Sequence, residues 1–182
     1  EALHRAGVVL TPTMEIFNAA LSWLSTHPDG KPRKVAVLTN AGYESVVSAD
    51  LLEGRIAGAT LTEAETGNLR TCLEGHGLAE LVNPRLPLDI TPMADERAFL
   101  DCAKVVLGSE ADTLVLGLVP LTRRLETQDP GAMRAFARSL ADLAQASGKR
   151  VGCAVEGGEL YEPYRLALES AGLPVFFSME RA

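Results

Sequence analysis

The sequence predicts an α/β domain of three layers, with helices on both faces of a five-stranded parallel sheet. Three observations predict it. From Lys34 onward, short β-rich runs alternate with segments of helical period. The run "DTLVLGLVP" is nearly all apolar, as a strand buried on both faces should be. The first run, "KVAVLTN", stops at Thr39-Asn40-Ala41-Gly42, and a helical pattern follows almost at once. Five strands connected in this way suit the flavodoxin-like order 2-1-3-4-5, which binds ligands outside the carboxyl ends of its strands.

A short strand-helix segment precedes this domain. Glu1 to Arg5 reads as the end of a helix closed by Gly7, and Val8-Val9-Leu10 as a short strand. Thr13 is a good N-cap for a helix with Ile16, Phe17, Ala20, Leu21 and Leu24 on one face. "HPDGKPRK" then serves as a linker, placing one unit at residues 1–30 and the main domain at 31–182.

Strand "KVAVLTN" leads to a helix over about 45–52, ended near Gly54, and "GATLTE" is the second strand. Thr62 and Glu65 form a capping box that opens a helix reaching about Glu74. "LPLDI" is a short extended segment. A helix over about 95–107 carries the stripe Phe99, Cys102, Ala103, Val106 and Leu107. "DTLVLGLVP" is the third strand and "TRRLETQDPG" a loop. A long helix over about 131–147 aligns Met133, Phe136, Ala137, Leu140 and Ala144. "KRVGCAVE" is strand, "ELYEPYRLALESAG" helix and "LPVFF" the last strand.

Composition narrows the function. The 182 residues are 47% apolar and 23% charged, which suits a soluble globular protein with a real core. A net charge of −7 without a basic stripe excludes nucleic acid and anionic membrane as main partners. No apolar run reaches membrane-spanning length and no signal peptide is visible, so a cytoplasmic protein is expected. Cys72, Cys102 and Cys153 lack metal or redox spacing and read as reduced packing residues. His4, His27 and His76 are scattered, so no metal site is expected. The chain opens at "EALHRAG" without methionine and stops at "SMERA", as if another helix were starting; both ends read as cuts through a longer protein.

Three turns are candidates for chemistry. In "TNAGYES", Gly42 lets a ligand approach the backbone, while Asn40 and Ser45 supply short polar groups; any tight βα turn also favours Asn and Gly. In "LDITPMADERAF", Thr91 or Asp95 can cap the helix, whose free N–H groups and dipole favour an anion such as phosphate. Asp95 and Glu96 compete for that same positive potential, and a well-capped structural helix is the plainer reading. In "VPLTRR" and "VEGGELY", Arg123 or Arg124 could meet an anion and Gly157-Gly158 permits close approach; solvated arginines and turn glycines are the alternative. No GxGxxG, GxxxxGK[ST] or GxSxG motif is present, and no Cys-His pairing. The residues alone give a flavodoxin-like domain with anion-friendly turns and no evident catalytic group.

The order of these motifs resembles the NDP-forming acyl-CoA synthetases, relatives of succinyl-CoA synthetase. In that family a segment like "ALHRAGVVLTPTMEIFNAALSWL" ends the CoA-ligase domain. A flavodoxin-like domain follows, with an "NAGGPG"-like turn and then "NPVDLTGDA" before a helix. The counterparts here are "VAVLTNAGYESVVSADLL" and "NPRLPLDITPMADERAF", and the likeness extends through "DTLVLGLVP", "KRVGCAVEGG" and "AGLPVFFSMERA".

The resemblance implies a ligase that converts a carboxylic acid, CoA and ATP or GTP into acyl-CoA, NDP and phosphate through an acyl phosphate and a phosphohistidine. The histidine lies in an "SHTG"-like stretch that this sequence lacks, and His4 does not take its place. The chain would bind no cofactor alone, while its parent would use ATP with Mg and CoA. Its partners would be the CoA-binding domain and the ATP-grasp domain or subunit; self-association into a homo-oligomer stays open. By motif matching, Thr91, Met93, Ala94, Asp95 and Glu96 would contact the phosphohistidine phosphate, and Asn40, Ala41, Gly42 and Tyr43 would shape the pocket. Two departures stand out. Tyr43-Glu44 replace a Gly-Pro pair, and Pro92-Met93 replace Gly-Asp; these fit either an altered substrate or lost activity. A non-catalytic ligand-sensing or interaction domain on the same scaffold is the alternative, and a stand-alone flavodoxin-like cofactor binder a third.

Overall fold

The computed structural model describes residues 5–28, 31–119 and 124–182. The first helix, α1 (Met14–Thr26), begins where Thr13 accepts a hydrogen bond from the Ile16 N–H at 3.2 Å, yet none of its residues is buried. Val8, Val9 and Leu10 form no strand. They are 41%, 68% and 59% exposed, and they join neither edge of the sheet described below. Residues 1–4, including His4, lie outside the described residues.

Six strands follow, not five: β1 (Lys34–Thr39), β2 (Ala57–Gly58), β3 (Leu88–Asp89), β4 (Thr113–Leu118), β5 (Arg150–Val155) and β6 (Val175–Phe176). All pair in parallel, in the order β2-β1-β4-β5-β6, with β3 also on β1. The expected order therefore holds, with one strand added. β4 occupies one edge of β1, so β2 and β3 divide the other; β2 pairs at Lys34-Val35 and β3 at Leu38-Thr39. The segment "LPLDI" is thus a strand, though only two residues of it pair. β2 is shorter and earlier than "GATLTE": the chain turns away once Thr60 has bonded Glu110 through both its N–H and its hydroxyl.

The helices are α2 (Gly42–Leu52), α3 (Glu63–Gly75), α4 (Glu96–Leu107), α5 (Pro130–Ser147) and α6 (Glu162–Ser170). A short 3₁₀ turn, Glu159–Tyr161, leads into α6, and another, Met179–Arg181, follows β6. The capping box at Thr62 and Glu65 forms as read. α5 takes Asp129 as its cap and Pro130 in its first turn, and Gly148 closes it in the left-handed region at φ 65°. α2 starts earlier than Ser45, because Glu44 and Ser45 both donate their N–H to the Ala41 carbonyl and wind 42–44 into the first turn.

Strand alternation divides the core unequally. Ala36, Leu38, Leu114, Leu116, Leu118, Val151, Cys153 and Val155 point to one face, under α3 to α6. Val35, Val37, Val115 and Ala154 point to the other and meet Met179 there. On this thinner face lie α2 and Trp23 of α1. Gly152 leaves room for Trp23, whose ring atom would stand 2.7 Å from a Cβ at that position. Cys72 and Cys102 bring their sulfurs to 3.8 Å between α3 and α4, and Cys153 is buried; all three are free thiols. Burial pushes the Cys153 thiol up to about 12, so it behaves as a small apolar residue.

Candidate functional site

The two turns singled out by sequence leave the sheet side by side. β3 runs parallel to the end of β1, and the Ile90 N–H donates to the Thr39 carbonyl at 2.8 Å. A Cβ on Gly42 would stand 3.2 Å from Asp89 Oδ2, so Gly42 permits this close approach. Residues 39–44 and 89–96 thus form one rim at the carboxyl end of β1.

The first turn is locked from within. Asn40 is buried, and its amide joins the end of β4 twice: Nδ2 donates to the Val119 carbonyl at 3.0 Å, and Oδ1 accepts from the Val119 N–H at 2.9 Å. It continues the β1–β4 ladder with a side chain and is fully engaged in doing so. The Thr39 hydroxyl accepts from the Ala41 N–H at 3.1 Å and donates to Glu44. Glu44 is 0% exposed and turns inward over Gly117. Burial raises its carboxyl from 4.5 to about 7; the Thr39 hydrogen bond opposes the rise, and Glu180 and Asp89 add to it. Its Oε1 is buried without a hydrogen-bond partner. Tyr43 points out and is 49% exposed. Of the two departures at this turn, only Tyr43 faces the rim.

The second turn is strained and capped. Thr91 has φ 65°, a rare backbone for a β-branched residue. Its N–H donates to Asp89 Oδ1 at 2.8 Å, its hydroxyl accepts from the Met93 N–H at 3.3 Å, and its carbonyl accepts from the Ala94 N–H at 3.2 Å. Thr91 is therefore the corner of the turn, and Asp95 is the cap of α4, accepting from the Ala98 N–H at 2.8 Å. Glu96 accepts from the Glu126 N–H. Met93 is 50% exposed, whereas Ala94 is buried and belongs to the core. Beside the turn, a cavity of about 160 Å³ is lined by His76, Met93, Ala94, Asp95 and Arg124 among others. His76 pairs with Asp101 at 2.9 Å, and Arg124 brings a cation to the rim. Arg123 lies outside the described residues.

The third candidate turn serves packing. Gly157, at φ 156°, makes room for the Tyr161 ring, which a Cβ would strike. Gly157 and Gly158 offer their carbonyls to the guanidinium of Arg165 at 3.3 and 3.1 Å. Arg165 is 4% exposed, also pairs with Glu162, and stands 4.8 Å over Phe177. It was missed in the sequence; Glu162 three residues before it is the only local signal. Roomier cavities of about 540 and 610 Å³ lie at the opposite, amino end of the strands, around Gly148 and Lys149. Among the described residues no group of three or more potential ligands could hold a metal ion, and no helix is long and apolar enough to cross a membrane.

No family model matches the chain, and no curated protein matches it. Among solved structures it is similar to PH0766 from Pyrococcus horikoshii OT3, at TM-score 0.78 and 24% identity over 99% of this chain and 40% of that one. It is also similar to the dinucleotide forming acetyl-coenzyme A synthetase 1 of Ca. Korarchaeum cryptofilum. The apo form gives TM-score 0.77 at 19% identity, covering 100% of this chain and 38% of that one. The complex with phosphate and ADP gives 0.76 at 19%, covering 99% and 37%. At these identities the likeness is one of fold, and the chain spans about two fifths of the length of the solved chains it matches.

Proposed function

We propose that this chain is part of an NDP-forming acyl-CoA synthetase, in which a carboxylic acid, CoA and ATP give acyl-CoA, ADP and phosphate by way of a phosphohistidine. The observation that carries this reading is the shared rim. The two motif turns, far apart in sequence, meet through β3–β1 pairing within a fold that matches part of an acetyl-coenzyme A synthetase chain throughout its length. In this reading residues 91–96 help to hold the phosphate. Glu96 and Arg97 present the first N–H groups of α4, Arg124 adds a cation, and the Thr91 corner aims them. Residues 40–43 shape the wall of that pocket. The phosphohistidine, the CoA site and the ATP site, with its Mg, would belong to other parts of a cytoplasmic enzyme.

The first helix supports the division at residue 30. Met14, Phe17, Leu21 and Leu24 form a stripe 45–69% exposed, as expected of the edge of a second, CoA-ligase domain. One feature favours the ligand-sensing alternative: Asp95 and Glu96 bring two carboxylates to the helix end that a phosphate would seek.

The test is to incubate the complete protein, with any separate ATP-grasp subunit, with ATP labelled in its terminal phosphate. The reading expects an acid-labile, base-stable protein phosphate that carboxylic acid and CoA together discharge, with acyl-CoA as product. Asp95→Lys should change that turnover and leave the domain folded. A folded, complete protein that takes no label would overturn this reading and favour the ligand-sensing one.

A further inference from the structure

Glu44 is held where a charge has no support. Its carboxylate lies between Thr39 of β1, Gly117 of β4 and the Met179 methyl group of the turn that follows β6. One oxygen bonds Thr39 and the other bonds nothing. The charged groups around it are acidic: Asp89 on β3 and Glu180 on the turn itself. Glu180 also bears on Glu156 at the end of β5, where Oε2 is likewise buried and unpartnered. The cation of that turn, Arg181, reaches Glu15 of α1 at 2.9 Å instead.

We propose that Glu44 is a proton-operated latch: as a neutral acid it lets the Met179–Arg181 turn close over the thin face of the sheet, and on ionising it releases that turn. Ionisation strands a carboxylate in an apolar site and sets it against Glu180. Of the pieces around Glu44, β1 and β4 are central strands, and α2 is tied to β1 directly. The turn after β6 rests against α2, buries one methionine and carries a solvent-facing ion pair, while its own backbone hydrogen bonds run within 178–182. Moving it therefore admits water and separates the two acids at least cost. Beneath it lies a mostly apolar cavity of about 220 Å³ lined by Trp23, Val35, Val37, Ser48 and Val115, among others, with Arg55 a cation on its wall as well as Glu180. Release of the turn opens that apolar cavity as pH rises through about 7, the value to which burial lifts Glu44. This inference does not depend on the acyl-CoA synthetase reading.

Trp23 is the only tryptophan and lines the same cavity as Met179, Glu180 and Ala182, so its emission reports the latch. Its ring also stands 4.8 Å from the His27 ring, whose contact bears on the emission, so the full chain is studied with and without His27→Asn. The expected result is a red shift of emission with a midpoint near pH 7 in both. Amide exchange in residues 177–182, corrected for intrinsic base catalysis, should rise at least tenfold between pH 6 and 8. Glu44→Gln should abolish both changes. A shift that survives in Glu44→Gln, or disappears with His27→Asn, overturns the latch. Should Glu44→Gln fail to fold, Glu180→Gln decides: Glu180 helps to raise the Glu44 carboxyl, so removing its charge should lower the midpoint, and an unmoved midpoint overturns the proposal.

Discussion

The turns at 39–44 and 89–96 leave the same strand edge, and each carries acids, yet they dispose of them in opposite ways. The first folds Glu44 inward, spends Asn40 on the β4 backbone and keeps only Tyr43 outside. The second keeps Asp95 and Glu96 half-buried at its rim, bonded to N–H groups, and places its backbone strain at Thr91. The same residue types therefore seal one turn and leave the other able to exchange partners. Direction of the side chain, set by strand pairing and helix phase, makes the difference.

The largest break in this contrast should come from Gly117→Val. A Cβ at Gly117 would fall on Glu44 and stand 2.7 Å from both the Thr39 hydroxyl oxygen and the Met179 methyl carbon. Overpacking of this kind, with a buried carboxyl displaced, should cost about 3–4 kcal/mol in urea denaturation at pH 6. A loss below about 1 kcal/mol would mean that Glu44 can leave its place freely and that the first turn is not sealed.

Next in size is the pH dependence carried by Glu44. Its folded carboxyl is raised from 4.5 to about 7, so the folded chain holds the proton more tightly than the unfolded one. Stability from this source is fully present below about pH 4.5, declines as pH rises through about 7, and then levels off. The decline is worth roughly 3 kcal/mol if Glu44 stays buried throughout. Opening of the Met179–Arg181 turn hydrates Glu44 and makes the loss smaller. Denaturation at pH 5 and pH 8, with Glu44→Gln as the flat reference, measures how tightly the first turn is sealed. A wild-type slope equal to that of the variant would remove Glu44 from the comparison.

Much of this architecture was legible in the sequence. The long strands β1, β4 and β5, the caps at Thr13 and Thr62 and the parallel order follow from hydrophobic period and local hydrogen-bond chemistry. β3 was not fully legible because two paired residues carry no period, and what makes them a strand is the free end of the β1 edge. Val8-Val9-Leu10 has strand composition, yet it joins neither edge of the sheet, which composition cannot announce. The site divides in the same manner. The Asp95 cap is a local rule and could be read. The inward turn of Glu44 and the bridge from Asn40 to Val119 depend on β4, more than seventy residues away along the chain, and no local pattern announces them.

The smallest predicted effect concerns the second turn alone. At φ 65° Thr91 bears the left-handed cost of a residue with a Cβ, about 1–2 kcal/mol. Glycine removes that cost but adds entropy to the unfolded chain and also loses the bond from Met93, so Thr91→Gly should stay within about 0.5 kcal/mol of the parent. Thr91→Ala keeps the strain and loses the 3.3 Å bond from Met93, so it should lose about 1 kcal/mol. The two substitutions remove the same hydroxyl and differ in backbone freedom, so the difference between them isolates strain from hydrogen bonding. Equal losses would place the cost of the turn in its hydrogen bonds and make it as settled as its neighbour. A Thr91→Gly chain no less stable than the parent, but slower in the labelled-phosphate test of the complete protein proposed above, would show that the strained corner is kept for function.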